Sequence, residues 1–304
     1  MSTAKTRLTA ALAAVAATSL ALAGCASSDP LSGGDGGGES TSDSSVIVIG
    51  SQAYPSNELI AEIYAQALEA DGFEVDRNFT IGQRDAYMPS IEDGSIDLFP
   101  EYTGNLLQYF EPDTTATTTD DVYAALQEAL PENLTVLEQS SATDQDSYNV
   151  TRTFAEENDL TSIADLAGID GLVLGGAPEL ELRPYGPAGL EETYGVTVTF
   201  NPTADSTIEE LVAGNIQLAN VYTADPLISA NDLVTLEDPE GLFLASHVVP
   251  LVNADVADEI ADTINAVSAA LTPEGLIELN VQYTVEQRSL GDVASEWLEA
   301  NGLV

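Results

Sequence analysis

The side chains able to do covalent or proton chemistry are few and unevenly chosen. The 304 residues hold one histidine, His247, one cysteine, Cys25, and 51 carboxylates against seven Lys and Arg. A Ser-His-Asp arrangement would depend on His247 alone, and no Gly-x-Ser-x-Gly elbow lies near it. Zinc sites built on Cys and His need several such ligands, which this composition does not supply. No Walker loop and no Gly-x-Gly-x-x-Gly in a strand-turn-helix context is present. Asp144-Gln145-Asp146 is acidic, but no twelve-residue Asp-x-Asp-x-Asp-Gly calcium loop follows it. Carboxylates are too plentiful to single out an acid–base pair. The residues point away from catalysis and toward binding, with no cofactor expected.

The charge balance narrows the partners. The formal net charge is −44. Two of the seven cations are Lys5 and Arg7; beyond them only Arg77, Arg84, Arg152, Arg183 and Arg288 remain. Such a field excludes nucleic-acid binding. The acids are scattered, as on a solvated surface, which suits high salt because screening shortens repulsion. A cationic ligand is mildly attracted.

The first 45 residues read as export and tethering. Lys5 and Arg7 precede an apolar run from Leu8 to Ala23, too short to span a bilayer comfortably and laid out as a signal peptide. Leu22-Ala23-Gly24-Cys25 resembles a bacterial lipobox, in which the Cys becomes the lipidated first residue. The expected parts are a signal peptide over 1–24 and a lipidated Cys25 with a Gly- and Ser-rich tether over 25–45. The protein is then extracytoplasmic and anchored to the cell membrane.

Strand-like and helix-like segments alternate after that. Val46-Ile47-Val48-Ile49-Gly50 is a β-branched run closed by Gly, and Pro55 opens a helix. Leu59, Ile60, Ile63, Tyr64, Ala67 and Leu68 recur at helical spacing up to Asp71-Gly72. Further strands are expected at Phe73–Val75, Ile96–Phe99, Leu172–Gly175, Val196–Phe200 and Gln217–Tyr222. Further helices are expected at Ala86–Glu92, Asp205–Ala213, Val256–Leu271, Pro273–Tyr283 and Val293–Leu298. The alternation predicts an α/β fold with a mostly parallel sheet and a helical C-terminal tail.

Three segments, in this order and spacing, carry a family resemblance. They are Ile49-Gly50-Ser51-Gln52, then Ile96-Asp97-Leu98-Phe99-Pro100-Glu101-Tyr102-Thr103-Gly104-Asn105, then Gly175-Gly176-Ala177-Pro178-Glu179-Leu180-Glu181-Leu182-Arg183-Pro184-Tyr185-Gly186. From Val46 to Val304 the chain resembles the glycine betaine/choline/carnitine substrate-binding proteins of osmoprotectant ABC transporters. The resemblance implies a two-lobed type II periplasmic-binding-protein fold with the ligand in the cleft. Lobe 1 would be 46–146 plus 249–304, and lobe 2 would be 147–248. The partners it implies are a membrane permease and ATPase complex, and the chain itself is expected to be a monomer.

The resemblance also assigns residues. Tyr102, Tyr148 and Tyr222 match walls of an aromatic cage, and Asp146 matches a position whose backbone carbonyl is used. The segment expected to give a further aromatic is Ala245-Ser246-His247, which has no Tyr, so Ser246 and His247 are the candidates there. Gln52 and Asn105 match polar positions, and Arg183 matches an arginine that binds the betaine carboxylate. A quaternary ammonium has charge but no N–H, so hydrogen bonding cannot recognise it. Aromatic faces can, at up to ~2 kcal/mol per desolvated contact. A carboxylate wants a planar bidentate donor such as Arg183. Ordinary packing or an ion pair is the competing reading for any one of these residues. A binding lipoprotein for another small solute, such as an amino acid, is the competing function.

Overall fold

The structure is a computed structural model that describes residues 46–304; the expected signal peptide, Cys25 and tether lie outside the described residues. The first lobe opens with β1 (Ile47–Gly50), α1 (Pro55–Ala70), β2 (Val75–Asn78), α2 (Arg84–Glu92), β3 (Leu98–Tyr102), α3 (Thr103–Phe110), α4 (Thr119–Ala129) and β4 (Leu134–Val136). The second holds β5 (Asp146–Thr151), α5 (Arg152–Glu157), β6 (Val173–Gly176), α6 (Pro187–Tyr194), β7 (Thr199–Pro202), α7 (Thr207–Val212), β8 (Leu218–Tyr222), α8 (Pro226–Ala230) and β9 (Leu233–Thr235). The chain then returns through β10 (Val248–Asn253) to α9 (Ala254–Ala270), α10 (Pro273–Asn280) and α11 (Leu290–Asn301).

Two five-stranded sheets result, ordered β2-β1-β3-β10-β4 and β7-β6-β8-β5-β9. Each combines parallel and antiparallel pairs, which corrects the expectation of a mostly parallel sheet. β1 runs parallel to β2 and β3, and β6 parallel to β7 and β8. β10 runs antiparallel to β3 and β4, and β5 antiparallel to β8 and β9. The reason is topological. β5 and β10 follow the two crossings between lobes and enter their sheets from the cleft side, against the direction of the strands that end there.

Helices cover both faces of the first sheet. The predicted apolar face of α1 is fully buried from Leu59 through Leu68, against residues of α9, α10 and α11. The expected tail is therefore part of the first lobe's core. On the opposite face, Tyr87, Met88 and Ile91 of α2 pack with Leu106, Leu107, Val122 and Leu126 of α3 and α4. In the second lobe one cluster joins Tyr148 to α6, and another joins α7 to β8. Among the described residues no helix is long and apolar enough to cross a membrane.

The register places the expected site residues. Tyr102 ends β3 opposite Val248, the first residue of β10. Tyr222 ends β8 opposite Asp146, the first residue of β5. Both tyrosines thus stand at strand carboxyl ends beside an interlobe crossing, where open α/β sheets bind ligands.

Candidate functional site

The Pro-Glu-Tyr-Thr-Gly segment of β3 and α3 is built so that each side chain has one job. Pro100 offers its carbonyl to Asn57 Nδ2 at 2.8 Å, while Asn57 Oδ1 accepts the Gln52 N–H at 2.8 Å. Asn57 thereby ties the β1–α1 loop to β3 and sets Gln52 and Tyr54 at the cleft. Glu101 is completely buried and takes a bidentate pair from Arg84, 2.8 Å from Nε and 2.8 Å from Nη2. It also accepts from the Tyr87 hydroxyl and from the Tyr102 N–H. Thr103 holds the return segment through the His247 N–H at 3.0 Å.

Gly104 must be glycine for packing reasons. A Cβ there would lie 2.8 Å from the Ala245 carbonyl oxygen and 3.0 Å from Leu244 Cβ. Its N–H donates to Ser246 Oγ at 3.2 Å, and that hydroxyl donates to Asn105 Oδ1 at 3.1 Å. Asn105 Nδ2 then donates across the cleft to Asp146 Oδ2 at 2.9 Å and to the Tyr185 hydroxyl at 3.2 Å. Gly104→Ala is expected to push 244–246 away and cost about 1–3 kcal/mol, read as a lower midpoint in urea. Loss of the Ser246–Asn105 link should also weaken ligand binding in the folded fraction.

The cleft is lined from both lobes. Gln52, Tyr54, Gln83, Arg84, Tyr102 and Asn105 come from the first. Ala177, Glu179, Leu180, Arg183, Tyr185, Asn220 and Tyr222 come from the second, as does Asp146 at the start of β5, and Asp144 comes from the crossing just before it. Of the expected residues, Gln52, Tyr102, Asn105, Asp146, Arg183 and Tyr222 therefore come together. Three do not line it. Tyr148 is fully buried behind it, edge-on to Phe243, and its hydroxyl donates to the Tyr185 carbonyl at 2.5 Å. Ser246 positions Asn105 from below. His247 directs Nε2 to within 3.1 Å of Thr119 Oγ1, and its Nδ1 is buried without a partner.

Tyr54 is the aromatic that sequence reasoning passed over. Its ring stacks on Tyr222 with centroids 5.2 Å apart and planes inclined by 22°, and on Tyr102 at 6.4 Å and 27°. Three tyrosines thus form one stack from β3 to β8. The signal was present as the aromatic just ahead of the helix-opening Pro55, in the loop after a strand that ends in Gly50. Tyr185 was likewise missed, although it lies inside a quoted motif. Burial is the first cause holding the Tyr54, Tyr102 and Tyr222 hydroxyls above their ordinary pKa, so the stack stays uncharged at neutral pH.

The charges divide sharply. Arg77, Arg84, Arg152 and Arg288 are each engaged in an ion pair among the described residues; Arg183 is not. Asp144 and Asp146 are 3% and 4% exposed. Burial raises both carboxyls, and Asp144 is pushed up to about 7, with the charges of Asp225 and Asp146 adding to the effect. The Asp144 Oδ1 accepts the Ala224 N–H at 3.0 Å. A half-buried guanidinium on one side, buried carboxyls on the other and aromatic faces between them suit a small polar cation or zwitterion.

Two mixed sheets, joined by two crossings and enclosing such a cleft at their strand ends, define a two-lobed solute-binding protein. The chain belongs to the OpuAC family, the substrate binding domain of ABC-type glycine betaine transport system, whose model matches residues 45–300. It is 26% identical over 284 residues to the glycine betaine-binding protein YehZ of Escherichia coli strain K12, covering 85% of this chain and 91% of that one. The apo structure of YehZ superposes with a TM-score of 0.65 at 25% identity, over 86% of this chain and 100% of that chain. A glycine betaine/carnitine/choline ABC transporter structure gives a TM-score of 0.72 at 18% identity, over 84% and 99% of the two chains. An ABC-transporter choline binding protein in complex with choline gives 0.61 at 13% identity, over 84% and 89%. These last two likenesses concern the fold. The chain is a substrate-binding component of an ABC transport system, working outside the cytoplasm, and is not an enzyme.

Proposed function

We propose that this protein captures a quaternary-ammonium osmoprotectant, glycine betaine foremost, and delivers it to a membrane permease and ATPase complex. The observation that supports this most is the grouping of Tyr54, Tyr102 and Tyr222 in one interlobe cleft with Arg183 at its side. Tyrosine faces attract a cation that has no N–H to donate. Arg183 enters no ion pair among the described residues and receives the ligand's carboxylate. Tyr148 acts from behind the wall by holding the Tyr185 backbone, and Tyr185 and Tyr54 supply the aromatic surface that residue 247 lacks. Rings in direct stacking leave no room for a trimethylammonium group between them, so the ligand separates Tyr54 from Tyr222 as it enters. Lobes 46–146 plus 249–304 and 147–248 close over it, driven by the ligand's extra affinity for the closed form. We further propose that lipid on Cys25 anchors a monomer to the membrane through the 25–45 tether.

Calorimetric titration of residues 46–304 with glycine betaine, choline, carnitine and proline tests the reading. Saturable binding of glycine betaine, with no response to proline, is expected. Tyr102→Ala and Tyr222→Ala should each weaken it roughly ten- to thirty-fold, as the loss of one desolvated cation–π wall implies. A folded sample that binds no quaternary amine at millimolar concentration would sink the assignment. An amino-acid ligand would then be the next reading of the same cleft.

A further inference from the structure

We propose that Asp144 reads the charge of the ligand: its carboxylate is the counter-ion of the cationic headgroup and lets the cleft accept net cations of the choline type alongside zwitterionic betaines. This rests on the quaternary-ammonium reading above and adds to it the residue that sets charge selectivity.

Asp144 lies on the crossing that precedes β5, in the wall shared by Tyr54, Tyr102 and Tyr222. It is 3% exposed, and its carboxylate enters no ion pair among the described residues. Its polar support comes from neutral donors only, the Ala224 N–H at 3.0 Å and the Ser56 hydroxyl. The charged groups acting on it are Asp225 and Asp146, both negative. A buried carboxylate without a cation carries a desolvation cost that an incoming cation relieves.

Asp146 is differently placed, although it shares the cleft. It accepts from Asn105 at 2.9 Å and feels the Arg183 charge, so its anion already has compensation. Asp144 is the carboxylate left for the ligand. A second feature at the same wall points the same way. The Tyr102 side chain is 3% exposed and lines the cleft, and Asp144 acts on its hydroxyl, with Tyr54, Asn57 and Ser56 close by. An aromatic wall beside a buried carboxylate that has no ion pair suits the cationic end of a small ligand. Glycine betaine brings its own carboxylate, which partly offsets the pull of Asp144 on its ammonium and is held by Arg183. Choline brings none, so for choline the contribution of Asp144 is undiluted.

The test compares ligand charge and side-chain charge together. Choline, glycine betaine and 3,3-dimethylbutan-1-ol, the uncharged isostere of choline, are titrated against wild type and Asp144→Asn. The variant should lose roughly ten- to a hundred-fold in choline affinity, less for glycine betaine, and leave the isostere within about threefold. Should Asp144→Asn not fold, Asp144→Ser is titrated with the same three ligands, and choline should again lose more than the isostere. Equal losses for choline and the isostere overturn the role of Asp144 while leaving the quaternary-ammonium reading in place. If wild type binds neither choline nor glycine betaine, that reading falls and this inference falls with it.

Discussion

Arg84→Met is expected to remove about 3–5 kcal/mol of stability, the cost of leaving one member of a buried ion pair alone. Glu101 has no solvent exposure, and the Arg84 side chain is 8% exposed. Both guanidinium bonds run at 2.8 Å in fork geometry. Removing Arg84 leaves a carboxylate with only the Tyr87 hydroxyl and the Tyr102 N–H as partners. The double variant Arg84→Met with Glu101→Leu deletes both charges, so most of the loss should return, although the Tyr87 hydroxyl then lacks an acceptor. Urea denaturation at constant m-value reads the cycle. If the single and double variants are equally unstable, the pair holds no charge coupling, and Arg84 matters only by its volume. Arg84 also borders the cleft, so the double variant separates stability from site geometry. It should fold yet bind ligand less well, because Tyr102 hangs on the Glu101 carboxylate.

This pair shows what the sequence could and could not disclose. The helix of Arg84 was expected only from Ala86, because Arg84 breaks the apolar pattern that marks helix faces. Its burial is explained by Glu101, seventeen residues on, and no periodic signal connects them. Strand boundaries slipped for a related reason. β3 was expected to end at Phe99 but runs to Tyr102. Pro100 is tolerated opposite Pro250 within the antiparallel pair, and the polar Glu101 lies inside because it is paired. Where apolar side chains alone decide, as in α1 with Pro55 at its start and Gly72 at φ +98° after its end, sequence and structure agree. α4 was not foreseen, since Thr119 to Ala129 buries only Val122 and Leu126 and leaves a weak stripe.

The site follows the same division. Tyr102 and Tyr222, which the family resemblance singled out, stand at the ends of β3 and β8. Tyr148 was grouped with the cleft because the family resemblance matched it to a cage wall. Yet Tyr185 from the loop before α6 stands at the cleft and receives the Tyr148 hydroxyl on its carbonyl. Strand alternation tells which face a side chain takes, but not what packs over that face. Tyr54 and Asp144 escaped because each sits in a connecting loop, where no period marks the inward direction.

Asp144 is expected to give the ligand-free protein a contribution to stability whose pH dependence is opposite to that of most surface acids. Its carboxyl ordinarily titrates at 3.8 and is raised to about 7 in the folded chain, chiefly by burial. Between those values the folded state binds more protons than the unfolded state, so stability falls as pH rises. The contribution is complete below about pH 4, is lost progressively toward pH 7, and changes little above. The fall is at most about 1.4 kcal/mol per pH unit. Asp165, held down to about 2 first by the backbone N–H of Thr161, pulls the other way at lower pH. It does so equally in wild type and Asp144→Asn and cancels in their difference. Urea unfolding of both proteins at pH 4.5, 6 and 7.5 should therefore show wild type losing ground to the variant at each step. Saturating choline should flatten the wild-type slope, because a bound cation favours the ionised carboxylate that burial opposes. A difference independent of pH would mean that Asp144 ionises as freely in the folded protein as in the unfolded chain, and the cleft would then hold a solvated acid in place of a stored charge.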